Sequence, residues 1–211
     1  MNKRGVLIVI SGFSGVGKGT VVKKLIEKYG YSLSISATTR EPRAGEVDGK
    51  DYYFKTVAEF ENLIDYNGFI EWAQYVENYY GTPRKFVEDE LEKGNNVILE
   101  IEVQGAMRVK EQYPNAVLIF LCAPDAHSLK ERLEGRGTED AKVIAKRLKR
   151  AYEETDDMPC YDYLVVNDDL DTCVDNVNAV IVAEGFKTSN NQEYITKTKN
   201  ELAEIRKEIT V

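Results

Sequence analysis

The chain has 211 residues, 43% hydrophobic and 30% charged, with a formal net charge of -8. This length suits one domain with one substantial core. The acidic balance argues against a surface that wraps a nucleic-acid backbone or lies on an anionic membrane, since both need a cationic footprint, so any phosphate site must come from local clusters of Arg and Lys.

The opening MNKRGVLIVISGF has positive charge followed by an apolar run, but Val6 to Ile10 is too short for a secretory signal, and Gly-rich sequence with Lys follows where a cleavage site would stand. No stretch approaches the length of a membrane span. Cys122, Cys160 and Cys173 are odd in number and lack C-x-x-C spacing, which fits a reducing, cytoplasmic setting better than a disulfide framework or a zinc site. The single histidine, His127, sits in a polar stretch that reads as the first turn of a helix, a surface or capping position.

Along the chain, GVLIVIS (5–11) reads as a strand buried on both faces. A helix follows, with Val22, Leu25, Ile26 and Tyr29 on one face and Gly30 to end it. YSLSIS (31–36) reads as a second strand. From Ala37 to about Arg84 the chain turns aromatic, with strand-like DYYFK and FIEWAQYV around a helix that opens on the capping box Thr56/Glu59 and ends near Gly68. Thr82 and Pro83 predict the N-cap and first position of a helix closing at Gly94. NNVILEIEVQG, AVLIFLCA (116–123) and YDYLVVND (161–168) read as strands, and a charged helical section runs from Ser128 through Asp157. Strands alternating with helices predict an α/β fold with a mostly parallel sheet covered on both faces. In the tail, Ile195, Leu202, Ile205 and Ile209 fall at near-heptad spacing, either a helix packed on the body or on a second copy, or a surface helix.

Residues 12–20, GFSGVGKGT, meet the phosphate-binding pattern G-x-x-x-x-G-K-[ST] except at its last position, where Gly19 replaces the hydroxyl that usually reaches magnesium. Between a buried strand and a helix, such a turn surrounds phosphate oxygens with backbone N–H groups, and Lys18 adds a point charge. Thr20 lies one residue too late to be assumed a substitute. Arg40 and Arg43, with Tyr52, Tyr53 and Tyr80 in the same aromatic segment, suit a phosphate monoester and form a candidate acceptor site. Arg132, Arg136, Arg147 and Arg150 form a third cluster; Gly135 and Gly137 around Arg136 suggest a mobile lid, whereas Arg150 reads as an ordinary helix face. Glu100 and Glu102, two apart at a strand end, would share one face and could hold hydrated magnesium or orient the acceptor's arginines, with a structural ion pair as the alternative.

With SATTREPRAGEVDGKDYYF, FIEWAQY, NYYGTP, LEIEVQGA, RLEGRGTE and VVND following the loop in order, the chain from Gly5 to about Gly185 resembles the bacterial guanylate kinases. The resemblance implies a P-loop three-layer sandwich with a five-stranded core sheet (1–36, 84–124 and 158–185), a mixed α+β GMP-binding subdomain (37–83) and a helical lid (125–157). The tail, 186–211, would be a helical extension. The implied activity is transfer of the γ-phosphoryl group of ATP to GMP, in purine nucleotide metabolism, with Mg²⁺ bound mainly through water and phosphates and with Thr20, Glu100 and Glu102 near that water. ATP would meet Gly12, Phe13, Ser14, Gly15, Val16, Gly17, Lys18, Gly19 and Thr20, together with Arg136, Asn167 and Asp168. GMP would meet Ser36, Arg40, Arg43, Tyr52, Glu71, Tyr80 and Thr82, with Glu100 and Glu102 adjacent. Arg40, Arg43, Tyr52 and Tyr80 would take its phosphate and Glu71 its base; Lys18, Arg40, Arg43, Arg136 and Arg147 would serve catalysis.

Phe13 stands where Pro is common, and Glu102 where many members carry Asp. A peptide-binding scaffold of the same fold would have lost the complete loop, a regulatory GTPase would need N-K-x-D, and a kinase for another nucleoside monophosphate is opposed by Glu71. The implied partners are ATP and GMP, with no nucleic acid or membrane, in a monomer or a homodimer.

Overall fold

The structure, a computed structural model, describes residues 4–75, 77–135 and 141–209. It begins with β1 (Leu7–Gly12), α1 (Lys18–Tyr29) and β2 (Ser32–Leu33). The segment that follows holds β3 (Ala37–Thr38), β4 (Tyr53–Phe54), α2 (Val57–Asp65), β5 (Phe69–Tyr75) and β6 (Asn78–Pro83). Then come α3 (Arg84–Glu92), β7 (Val97–Glu100), α4 (Val103–Gln112), β8 (Val117–Cys122), α5 (Ala126–Glu134), α6 (Ala141–Glu154), β9 (Tyr163–Val166), α7 (Leu170–Gly185) and α8 (Gln192–Ile209).

Five strands, in the order β2-β7-β1-β8-β9, pair in parallel throughout. Every residue of β1 is buried, and the two-residue period divides them. Ile8 and Ile10 meet Val22, Leu25, Val174 and Val177 of α1 and α7, while Leu7 and Val9 meet Val87, Leu91, Val103 and Val109 of α3 and α4. Helices on both faces are why the strand reads as an unbroken apolar run, and they make the predicted three-layer α/β sandwich. Switching from β1 to α1 places the glycine loop at the carboxyl edge of the central strand, where such sheets bind ligands.

A second sheet, in the order β4-β3-β6-β5, is built from the aromatic segment around Phe60, whose ring stacks on Phe69 at 4.3 Å and on Tyr79 at 5.3 Å. Several local expectations hold. Gly30 ends α1 at φ 72° with its N–H donated to the Ile26 carbonyl, and Thr56 and Glu59 close both halves of the capping box of α2.

Others need correction. The second strand is only Ser32–Leu33, and β7 ends at Glu100, so Glu102 has left the strand to become the N-cap residue of α4. Thr82 does not cap α3: that place belongs to Pro83, and Thr82 stays in β6, where its hydroxyl has a strand-borne partner. Arg136 and Gly137 lie outside the described residues. The tail is helical, but no α8 residue is buried, so the described chain does not show it packed into the body. Among the described residues no helix is long and apolar enough to cross a membrane.

Candidate active site

The glycine loop is shaped by close approaches that exclude a side chain. A β-carbon at Gly12 would sit 2.3 Å from the Leu121 carbonyl oxygen, and Gly17 has φ 95° with the Asn167 amide against it. Gly17 is also the N-cap of α1, with no side-chain cap bond, and the first turn carries no acidic residue. The positive end of the helix is therefore directed at the loop without a resident carboxylate of its own, which is the condition for anion binding. Lys18 Nζ donates to the Gly12 carbonyl at 2.7 Å, folding its charge over the loop. Phe13 anchors the loop in the core through an edge-on contact with Phe120 at 4.9 Å. Asn167, buried, donates from Nδ2 to the Val16 carbonyl at 2.8 Å and so braces the loop, while Asp168 beside it is exposed.

Across from the loop stands the arginine segment. Arg40 donates from Nη2 to both oxygens of Glu46 at 2.9 Å and from Nη1 to the Glu41 carbonyl at 2.7 Å, and its guanidinium lies over the Tyr52 ring at 5.5 Å. The Arg43 backbone N–H and the Arg40 guanidinium hold the Glu46 carboxyl below its ordinary range. Burial lowers the Arg40 pKa and Glu46 more than offsets it, leaving the guanidinium above its ordinary value. Tyr52 and Tyr80 meet edge to face at 6.2 Å. The side chain of Arg43 is exposed, and Ser36 is half-buried, its carbonyl accepting from the Tyr53 N–H at 2.9 Å.

Glu71, opposite Thr82 in the β5–β6 pair, is buried, and Thr82 Oγ1 donates to its Oε1 at 2.7 Å. Burial pushes the Glu71 carboxyl up, opposed by the Thr82 hydroxyl and by Arg108.

Glu100 joins the two halves. It faces Gly19, whose absent β-carbon would stand 3.6 Å from Oε1, and it feels the charge of Lys18 on one side, while Tyr52 of the arginine segment feels Glu100 on the other. Burial raises the Glu100 carboxyl, Lys18 lowers it and Glu102 raises it, so the two carboxylates still interact although they do not share a strand. From the helical section, Arg147 Nη1 donates to Ser14 Oγ at 3.1 Å, and Arg150 bridges Glu102 at 3.2 Å and the buried Glu154 at 2.9 Å. Arg150 is thus no ordinary helix face.

The sequence reading missed two contributors: Glu46, which organises the arginine segment, and Gly105, which lies against Glu71; it placed Arg132 in the third cluster without a role, and here the Arg132 guanidinium reaches the Val16 carbonyl at 3.5 Å. Glu46 had a signal, an acid three residues after Arg43 in the same loop. Thr20 is exposed, and no group of three His, Cys, Asp or Glu side chains suited to a metal occurs among the described residues.

A phosphate loop at the edge of a parallel sheet, facing arginines across a shared carboxylate, marks the class of P-loop nucleotide phosphotransferases. Residues 4–184 match the family model for guanylate kinase. A guanylate kinase of Caldanaerobacter subterraneus subsp. tengcongensis is 50% identical over 202 residues, covering 95% of this chain and 98% of that protein. One from Clostridium acetobutylicum is 48% identical over 199 residues, covering 94% and 95%. The crystal structure of guanylate kinase from Anaplasma phagocytophilum is similar with a TM-score of 0.72 at 36% identity, over 88% of this chain and 89% of that one. The chain belongs to the guanylate kinase family.

Proposed function

We propose that the chain transfers the γ-phosphoryl group of ATP to a phosphate oxygen of GMP, giving ADP and GDP. The observation that carries the substrate assignment is Glu71: a buried carboxylate, oriented by Thr82 and set in the second sheet away from the phosphate loop. A carboxylate accepts from guanine N1–H and the 2-amino group together. Adenine offers neither donor and would leave the acid buried and unpaired, a mismatch that can discriminate by about ten-thousandfold.

The acceptor phosphate is already anionic near neutral pH, so the reaction calls for alignment and charge neutralisation, with no general base. Lys18 and the N-terminus of α1 hold the donor phosphates, Arg40, Arg43, Tyr52 and Tyr80 the acceptor phosphate, and Arg147 approaches from the helical section, while Arg136, given the same role by the resemblance, lies outside the described residues. Residues 37–83 would act as the GMP-binding subdomain and 125–157 as the lid, around a core of 1–36, 84–124 and 158–185. Mg²⁺, when bound, would supply charge neutralisation at the phosphates. Glu100 beside Lys18, with Glu102 close enough to act on its carboxyl, would suit an ion held through water and phosphate oxygens. Asn167 supports the loop from behind and Asp168 stands at the rim of the ATP site. Three free thiols suit a reducing compartment, and we assign the chain to the cytoplasm.

The test is ADP formation from ATP and Mg²⁺ with GMP, AMP, UMP and CMP supplied separately. GMP alone should support rapid turnover. Equal turnover with AMP would remove the role given to Glu71, and silence with all four would remove the kinase assignment.

A further inference from the structure

Beyond the end of the family match stands α8, exposed along its length except for the half-buried Thr198. Its large apolar side chains are Tyr194, at 58% exposure, Ile195, Leu202, Ile205 and Ile209, the last four at 42, 60, 49 and 79%. The steps between those four are seven, three and four residues. In a heptad the step from a to d is three and from d to a is four, so Ile195, Leu202 and Ile209 take a, Ile205 takes d, and Thr198 fills the remaining d. Apart from Tyr194, which falls at g, the stripe is confined to a and d, narrower than the face a helix lays on a globular body, and it is the seam of a coiled coil.

The flanks say what covers that seam. Glu201 and Glu208 fall at g, Lys199 and Arg206 at e. In a parallel coil each g residue faces the e residue of the next heptad on the neighbouring helix, so Glu201 meets Arg206. An antiparallel coil sets g against g and e against e, opposing like charges in both rows. Within one helix Glu201 lies 3.6 Å from Lys197, both 57% exposed, a contact too solvated to hold the carboxylate.

We propose that α8 is a self-association element, forming a parallel coiled coil with α8 of further copies of this chain. The charge rows select a copy of the same sequence in the same direction, and an in-register parallel coil closes on itself by rotational symmetry. Ile195 and Ile209 at a suit two strands and Leu202 with Ile205 suits three or four; the pairing of g with e is common to all. With about two and a half heptads and a threonine in the seam, the association is weak and depends on concentration.

Sedimentation velocity on the full chain, from micromolar to hundreds of micromolar, should show reversible self-association. Leu202→Asp should weaken it by at least about tenfold, equivalent to about 1.4 kcal/mol, while leaving kinase activity per subunit intact. Glu201→Lys/Glu208→Lys and Lys199→Glu/Arg206→Glu should each be monomeric alone and associate when mixed. In a Cys160→Ser background, Ile195→Cys should form a 195–195 disulfide between copies under mild oxidation. A monomer at every concentration overturns the proposal. So does association that survives Leu202→Asp, and cross-linking of Ile195→Cys only to an Ile205→Cys partner, the a-to-d pairing of an antiparallel coil, overturns the parallel direction.

Discussion

Gly105, in the first turn of α4, lies directly against the Glu71 carboxylate: a β-carbon at 105 would stand 2.9 Å from Oε2 and 3.2 Å from Cδ. The atoms in the way are the far end of a side chain, so alanine would move the carboxylate before it moved the helix. Alanine is also favoured over glycine in a helix by about 1 kcal/mol. Gly105→Ala should therefore keep or raise the melting temperature while raising KM for GMP about tenfold, with KM for ATP unchanged. An unchanged KM for GMP would show that the placement of Glu71 does not depend on the space left at 105.

Glu71 also makes a pH prediction. Burial raises its pKa above the ordinary 4.5, so the fold favours the protonated acid. The stabilisation this gives is fully present below the ordinary value and is lost as pH rises through the raised one. Glu71→Gln, which never ionises, should be more stable than the parent protein at pH 7, and the two should converge at about pH 4 when melting temperatures are compared. Guanine recognition runs the other way, since it needs the carboxylate. KM for GMP should rise on acidification through the raised pKa, and that limb should be missing in the glutamine variant.

Features written in neighbouring residues were legible in the sequence; those made by chain segments meeting across the fold were not. The apolar run read as a strand over 5–11, the stop at Gly30 and the Thr56–Glu59 box each depend on a few consecutive positions, and each formed, the strand spanning Leu7–Gly12. Thr82 followed by Pro83 carried the same kind of local signal for a cap. A carboxylate eleven residues earlier, brought opposite by the β5–β6 pairing, takes the hydroxyl instead, because a buried acid without a donor costs more than a missing cap. Glu100 and Glu102 continued an alternating pattern past the point where the backbone turns into α4, and alternation alone does not mark that turn. Arg150 and Glu154 have the spacing of a common surface pair, and only the packing of α6 reveals that Glu154 is buried.

That burial makes Arg150 testable. Its guanidinium holds one oxygen of Glu154, whose carboxyl is pushed up by burial and brought down by Arg150. Arg150→Met would leave the acid unpaired and should destabilise the protein by about 1–3 kcal/mol in urea unfolding at pH 7. Adding Glu154→Gln to that variant should restore most of the loss, since the neutral amide carries no charge to desolvate. If the double substitution is as unstable as Arg150→Met, the arginine acts through packing or through Glu102.

Gly19, the one departure from the phosphate-loop pattern, has ordinary helical room. A β-carbon there would meet the Glu100 oxygens at 3.6 and 3.8 Å, normal contact distances, and no positive φ demands glycine. Gly19→Ser should therefore fold with a stability within about 0.5 kcal/mol of the parent. The new hydroxyl would lie beside Glu100, and donating to that carboxylate is its nearest option, which would lower the raised Glu100 pKa. If Mg²⁺ is held through phosphate oxygens and water, its half-saturating concentration at fixed ATP and GMP should change by less than about twofold, because the hydroxyl is already engaged. A drop of about tenfold would place the ion within direct reach of position 19 and would mean that Glu100 does not command that hydroxyl.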